Sequence, residues 1–384
     1  MEKKSITNTR VGIIGGGQLG KMLALDAGPM HIPIYALDKS ANFPAGPYVH
    51  GFTEGDFNNY DDVYQFGKDK DVVTIEIEHV NTEALIRLQQ EGVQVHPDPT
   101  SLNIIKDKGL QKQFYHDNGF PTSSFRLYPS AEAIKDAVQE GDISLPFVQK
   151  LCREGYDGKG VKVVSSLSDL PELLQGESLV EDLVDIDKEL AIIVARNESG
   201  ETKAFTAVEM TFNPQANLVE YLLCPARIDP SIEEAAEKMA ASLINAFNIC
   251  GLLAIEFFLT KKGELLINEV APRPHNSGHH TIDSCYTSQF EQHLRGILGL
   301  PLGSTKIKSP AVMLNLLGKD HFSGPAIYDG LEKCLAMEGV NLHLYGKAMT
   351  KPFRKMGHAT ILDDNLETAL EKAEAVKKTL QIIA

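Results

Sequence analysis

Short apolar runs closed by glycine, with helix-period stretches between them, set the rhythm of the first hundred residues. Residues 11–14 form such a run, Gly15-Gly16-Gly17-Gln18-Leu19-Gly20 follows, and a helix-compatible stretch over 21–27 closes at Gly28-Pro29. The pattern predicts strand, glycine turn, helix. A second strand over 34–37 ends at Asp38, and a third over 72–77 precedes a helix at 82–91 and a strand at 93–96. Such alternation predicts a parallel sheet with helices on its faces, ending at His96-Pro97-Asp98-Pro99.

Beyond that boundary the pattern changes. Thr100 or Ser101 is expected to cap one helix running to Asn118-Gly119, with Pro121 just after it. Two apolar segments, 147–151 and 161–164, flank a glycine-rich loop and predict a hairpin. Strands follow near 179–183, 189–195 and 204–208, then a helix over 231–247, a hairpin over 252–270 and a final helix over 366–380. The chain therefore reads as α/β at its start and α+β thereafter.

At roughly 150 residues per domain, 384 residues predict two or three domains. A net charge of −15, from 37 basic and 52 acidic residues, repels polyanions and argues against a nucleic-acid partner. No apolar run approaches the roughly 20 residues of a membrane span. Five cysteines, odd in number, widely spaced and without a C-x-x-C, suggest neither a disulfide framework nor a zinc site. The expectation is a reduced, cytoplasmic protein.

Three segments carry candidate chemistry. Gly15, Gly17 and Gly20 satisfy G-x-G-x-x-G, with Asp38 at the end of the next strand, as in a dinucleotide site. The same turn nearly fits a P-loop, but Met22 stands where a magnesium-binding Ser or Thr belongs. The alternative is a tight turn whose free amides receive some other anion. The loop from Arg153 to Gly160 offers three glycines with Arg153 and Lys159, suited to closing over a phosphate chain or merely to a solvated hairpin tip. In the later hairpin, a two-residue Lys262-Gly263 turn would set Glu256 opposite Glu269, at about 5 Å. Each interrupts an apolar run. Magnesium shared with nucleotide phosphates would offset the repulsion; a wet sheet face is the alternative. Directly after Glu269, Ala271-Pro-Arg-Pro-His-Asn-Ser-Gly-His-His280 is kept out of helix by two prolines and brings Arg273, His275 and Asn276 beside that pair.

Together these segments resemble the 5-(carboxyamino)imidazole ribonucleotide synthases, ATP-grasp enzymes of bacterial and fungal de novo purine synthesis. The resemblance runs from Val11 to about Ile361. It rests on the glycine turn, Thr74-Ile-Glu-Ile-Glu-His-Val80, Asp107-Lys108 with Gln111-Lys112, Gly155-Tyr-Asp-Gly-Lys-Gly160, Asn268-Glu-Val-Ala-Pro-Arg273, His275-Asn-Ser-Gly-His279, Tyr345-Gly-Lys347 and Arg354-Lys-Met-Gly-His358. It implies an ATP-grasp fold: an N-terminal Rossmann-like substrate lobe over 1–99, an ATP-grasp region over 100–300 with a small lid lobe at about 120–187, and a 301–384 extension completing the large C-terminal lobe and a phosphate clamp.

The resemblance also implies residue roles. Lys108 and Lys150 would meet ATP phosphates, under the loop of Gly155, Tyr156, Asp157, Gly158, Lys159, Gly160 and Val161. Glu181, Asp182, Leu183 and Val184 would read adenine and Glu189 the ribose, with Asn213 and Asn268 also at ATP. Glu256 and Glu269 would hold Mg2+. Gln18, Leu19, Glu76, Tyr156, Asp157 and Arg273 would meet the imidazole nucleotide, and Lys347 with Arg354 its phosphate. Arg273, His275, Asn276 and Lys159 would carry the bicarbonate chemistry. Two departures stand out: Asn213 where relatives often carry histidine, and His79 in place of a usual asparagine. The implied activity is ATP-dependent carboxylation of 5-aminoimidazole ribonucleotide by bicarbonate, through carboxyphosphate, in a homodimer. The rivals are a formate-dependent ATP-grasp glycinamide ribonucleotide formyltransferase, a dinucleotide-dependent oxidoreductase, in which the paired glutamates would have no role, and a nucleotide-binding regulatory module without turnover.

Overall fold

The computed structural model describes residues 5–153, 160–213 and 218–384, with Asn213 and Leu218 described by their backbone alone. Val11–Ile14 and Val72–Ile75 are buried at every position, as central parallel strands covered on both faces must be. They lie at the middle of a five-stranded parallel sheet, in the order Gly51–Glu54, Ile34–Asp38, Val11–Ile14, Val72–Ile75, Gln94–His96. The strand Gly51–Glu54 escapes the sequence pattern because it is an edge strand with no buried residue. The strand expected over 72–77 stops at Ile75, and Glu76 and Ile77 turn into a cleft.

The single helix expected over 100–118 is two, Pro99–Ile105 and Lys108–Asp117. Asp98, not Thr100 or Ser101, caps the first by accepting from both of their amides. Asp107 caps the second, accepting from the amides of Gly109 and Leu110. A short carboxylate that bonds the amides ahead of it favours extended backbone over helix, and this competition breaks the run. The break leaves Lys108 at the start of a fresh helix.

A four-stranded antiparallel sheet forms the small lobe, in the order Phe125–Tyr128, Ser178–Asp182, Phe147–Leu151, Val161–Val164. Its core joins Phe147, Val164 and Val180 to Ile134 of the helix Ala131–Glu140. The large lobe is an antiparallel sheet running Leu265–Ala271, Gly251–Thr260, Ile186–Arg196, Val208–Asn213, Leu218–Cys224, Ala311–Leu317, Lys355–Leu362, Val340–Leu344. Its last three strands come from the final quarter of the chain, which thereby extends the sheet that carries Glu256 and Glu269. The helix Pro230–Ala246 packs Ala236, Ala240 and Leu243 against Ile192, Val194 and Ile255 of this sheet. The helix Gln289–Ile297 joins the lobes: Phe290, Leu294 and Ile297 pack with Val11, Ile13 and Leu23, and the Thr74 hydroxyl meets His293 Nε2 at 2.8 Å.

Candidate active-site cleft

A cavity of about 560 Å³ lies where the three lobes meet. Its wall takes Gln18, Leu19 and Glu76 from the parallel lobe, Cys152 from the lid, and Glu256 and Glu269 from the large sheet.

Glu256 and Glu269 are register partners on the hairpin Gly251–Thr260 and Leu265–Ala271. The two-residue turn expected at Lys262-Gly263 is absent. Thr260 pairs instead with Glu264, leaving Lys261, Lys262 and Gly263 in the loop, with Gly263 at φ +82°. A loop of that length shifts the register by one. A bulge then shifts it back: Phe257 faces Ile267 whereas Glu256 faces Glu269, so Asn268 is the extra residue. The bulge also re-aims Asn268, whose Oδ1 accepts from Lys150 Nζ at 2.9 Å. Burial, and then the neighbouring Glu269, push the Glu256 carboxyl up, whereas Lys108 pulls Glu269 down. Glu256 is thus an under-compensated carboxylate facing a compensated one.

The cations come from two helical turns and one lid strand. Lys108 ion-pairs with Glu269, and that pairing outweighs burial to raise the lysine. Lys112, one turn further along the same helix face, and Lys150 hold Glu181 from either side, at 2.5 and 2.6 Å. Burial alone would raise Glu181, but the two lysines hold it at about 2. With its carboxylate so engaged, and further bonded to the Ser123 hydroxyl at 2.9 Å, Glu181 offers a ligand little beyond its main chain. Glu189 is pushed up to about 7, chiefly by burial.

After Ala271 the chain leaves the sheet. Arg273 ion-pairs with Glu78 at 2.8 Å. His275 caps the short turn Asn276–Gly278: its Nδ1 accepts from the Ser277 amide at 3.3 Å. Nδ1 also meets the Ser277 hydroxyl at 2.9 Å; with the cap made, the ring proton is assigned to Nε2, which lies 3.8 Å from Glu256 Oε1. Arg273, His275 and Asn276 all line the cavity.

The glycine turn is filled from within. Glu76 accepts from the amides of Gly17 and Gly20, at 2.5 Å each, and Asp38 accepts from the amide of Gly16 at 2.8 Å. A Cβ on Gly15, at φ +111°, would stand 2.2 Å from Glu76 Cγ. These glycines admit a carboxylate of the chain where a dinucleotide site would admit pyrophosphate, and burial raises that carboxyl.

Other expected residues are placed unevenly. Asp182, Leu183 and Val184 occupy the connection from the lid strand to Ile186–Arg196, with Leu183 exposed. The Gly160 carbonyl accepts from the Leu151 amide, and Val161 is exposed. Gly155, Tyr156, Asp157, Gly158 and Lys159 lie outside the described residues, as does the Asn213 side chain. Lys347 donates to the Lys355 carbonyl at 2.8 Å, and Arg354 to the Met349 carbonyl at 2.6 Å; Lys355, rather than either, reaches the cavity wall. Glu78, Lys106, Lys112 and Lys355 are the participants that sequence reasoning passed over. The i, i+4 spacing of Lys108 and Lys112 was a usable signal; Lys106 and Lys355 had none beyond adjacency.

The carboxylate pair fits a hard divalent cation. Both donors are oxygens, and a cation would compensate Glu256. Among the described residues no group of three or more His, Cys, Asp or Glu could hold a metal; a cation on this pair would keep positions open for phosphate oxygens and water. That division is the habit of magnesium.

Three family models match the chain: the ribonucleotide synthetase preATP-grasp domain over residues 8–106, the ATP-grasp domain over 113–290 and the phosphoribosylaminoimidazole carboxylase C-terminal domain over 311–372. The N5-carboxyaminoimidazole ribonucleotide synthase of Bacillus subtilis is 36% identical over 357 residues, covering 92% of this chain and 91% of its own. The crystal structure of the Thermotoga maritima synthetase superposes with a TM-score of 0.90 at 42% identity, covering 98% and 99% of the two chains. The Aspergillus clavatus synthase in complex with ADP and 5-aminoimidazole ribonucleotide gives 0.88 at 31% identity, over 97% and 99%. The chain spans about two thirds of the length of several longer carboxylases that it also matches.

Proposed function

The chain belongs to the N5-carboxyaminoimidazole ribonucleotide synthase family of ATP-grasp ligases, and from that premise we propose how its cleft carries out ATP-dependent carboxylation of 5-aminoimidazole ribonucleotide. The observation that carries the reading is the convergence of two unlike groups in one cavity. Glu256, Glu269 and Lys108, with Lys150 next to them on Asn268, suit a metal-bound triphosphate, and Arg273, His275 and Asn276 suit a small oxyanion beside it.

Bicarbonate is a poor electrophile until one of its oxygens is phosphorylated. Its oxygen attacks the terminal phosphorus of ATP, the bond to ADP breaks, and carboxyphosphate forms. The exocyclic amine then bonds to the carboxyl carbon, directly or after release of carbon dioxide; inorganic phosphate leaves and the nitrogen loses a proton. Lys108 and Lys150 orient and neutralise the phosphates, and Arg273 with the His275 Nε2–H holds the bicarbonate oxygens. Mg2+ held by Glu256 and Glu269 would supply charge neutralisation at the transferring phosphoryl group. Closing the cleft around these atoms excludes the water that would hydrolyse the intermediate. The imidazole nucleotide enters along Gln18, Leu19 and Glu76, and its phosphate reaches toward Lys347, Arg354 and Lys355.

Five free thiols fit a reducing compartment, and no helix among the described residues is long and apolar enough to cross a membrane. We place the activity in the cytoplasm, in a homodimer that sedimentation would test. The deciding assay is ADP release with aminoimidazole ribonucleotide plus bicarbonate, against glycinamide ribonucleotide plus formate and against no acceptor. Release with the formate pair alone would overturn the reading.

A further inference from the structure

The strand Leu265–Ala271 ends before the backbone that presents His275 and Asn276 to the cleft, and among the described residues no other strand pairs with it. Gln289, the first residue of the helix Gln289–Ile297 and fully buried, takes the strand's place. Its Oε1 accepts from the His275 N–H at 2.9 Å, and its Nε2 donates to the His275 carbonyl at 2.8 Å. This reproduces with one side chain the two-bond exchange of an antiparallel pair. The second Nε2 proton points to Nδ1 of His279, 3.0 Å away. The Thr281 hydroxyl oxygen accepts from the Gln289 main-chain N–H at 2.8 Å and donates to the Gly278 carbonyl. A Cβ on Gly278 would stand 2.5 Å from Gln289 Oε1, so glycine is needed for the amide to reach the backbone.

The ring leaves the amide one orientation. Turned over, it would set donor against the His275 N–H and acceptor against the carbonyl. With the amide fixed, Nδ1 of His279 must accept, and the His279 proton must sit on Nε2. Burial works the same way, holding His279 well below the ordinary imidazole range. On its other side His279 packs against His358, ring centroids 4.8 Å apart, and His358 Nδ1 meets the Tyr345 hydroxyl at 3.1 Å.

We propose that Gln289 is a positioning residue for the carboxylation step: its grip on the His275 main chain sets the imidazole and Asn276 at the cleft wall, with a neutral Nε2–H His279 as the lock. The inference rests on the reading of the cleft given above. Gln289 itself touches no substrate and acts through His275.

The test uses the full chain carrying 15N-imidazole histidine, and Gln289→Glu, which keeps the size and turns the donor into an acceptor. In the wild type, His279, assigned by the signal missing from His279→Gln, should show the Nε2–H tautomer at neutral pH. In Gln289→Glu its Nδ1 should carry a proton. The variant's kcat for carboxylation should fall about 10- to 100-fold, while KM for ATP and for the imidazole nucleotide stay within about threefold. An Nδ1–H tautomer in the wild type, an unchanged kcat, or equal losses in kcat and both affinities would overturn the inference. If Gln289→Glu lacks a cooperative unfolding transition, Gln289→Met, which removes the bonds without burying a charge, replaces it in the kinetic comparison. A wild-type chain that forms no carboxylated product would refute the reading of the cleft, and the tautomer would then decide this inference by itself.

Discussion

Glu181 is the residue whose removal has the most calculable consequence. Its carboxylate, 3% exposed, lies 2.5 Å from Lys112 Nζ and 2.6 Å from Lys150 Nζ. The lysines hold it at about 2 against an ordinary 4.5, on the order of 3 kcal/mol in favour of the fold at neutral pH. Lys112 runs the other way, from 10.5 to about 8, because burial outweighs its half share of one carboxylate; that costs about the same. The two nearly cancel while Glu181 is charged. Glu181→Gln deletes the favourable half and leaves two buried lysines side by side, so about 3–5 kcal/mol of stability should be lost at pH 7. The sign of the pH dependence follows from Lys112. Its folded pKa lies below its unfolded value, the unfolded chain binds more protons, and stability rises with pH, in the wild type between about 8 and 10.5. Without the carboxylate that window opens at lower pH, so the gap between wild type and variant should narrow from about pH 6.5 to about pH 9. Urea unfolding followed by far-UV circular dichroism at both pH values measures it. A gap under about 1 kcal/mol at neutral pH, or one that does not change with pH, would refute the reasoning.

Glu269→Gln keeps the shape of the hairpin but removes a charge that both Lys108 and a cation would use; turnover with ATP should fall at least about 100-fold while the thermal transition persists, and unchanged magnesium-dependent turnover would count against the metal assignment. Gly15→Ala forces a residue at φ +111° to carry a Cβ 2.2 Å from Glu76, so a stability loss beyond the about 1–3 kcal/mol of backbone strain alone is expected in urea, with Glu76→Ala partly relieving it. Lys355→Ala should raise KM for the imidazole nucleotide about tenfold or more, about 1.5–3 kcal/mol for a charged hydrogen bond; Arg354→Ala, half-buried, away from the cavity wall and held by the Met349 carbonyl, should raise it less, and steady-state kinetics with ATP as the unaffected reference separates the two.

How much of this was legible in the chain depends on whether a feature is set locally. Central strands and long amphipathic helices are, and residues 11–14, 231–247 and 366–380 show it. The break at Asp107 was not, because a helix-period pattern continues through it and only the side chain's competition for amides ahead interrupts the backbone. The facing of Glu256 and Glu269 came out of two errors that cancel: the loop is one residue longer than the turn chemistry suggested, and the bulge at Asn268 restores the register. Period-2 patterning cannot reveal a bulge, but the polar Asn268 inside Leu266-Ile-Asn-Glu-Val270 was its mark. The glycine turn was legible as a set of free amides awaiting an anion, but the identity of the anion was not. Its sequence fits a phosphate-binding turn, yet only the fold brings in Glu76, far along the chain, to occupy those amides.

A net charge of −15 and a substrate pair made of polyanions pose an electrostatic problem, and the cleft answers it with cations that are already paired. Lys108 is held by Glu269, Lys112 and Lys150 by Glu181, and Arg273 by Glu78. Unpartnered lysines crowded at this density would repel one another; each carboxylate holds its partner in place before any phosphate arrives. Binding is then an exchange of partners rather than a capture by open charge. On the reading proposed above, phosphate oxygens would take Lys108 from Glu269, and Glu269 would become available to a cation bound with the nucleotide. Such an exchange would favour a metal nucleotide over either component alone, since bare triphosphate would leave Glu269 beside its oxygens and bare metal would meet Lys108 across the same carboxylate. Discrimination for the metal-bound nucleotide would then follow from one ion pair, and Lys108→Met, which removes the nearest cation from Glu269, should let the cation bind without ATP, a reversal that calorimetric titration with magnesium alone would detect and whose absence would show that Lys108 does not guard the site.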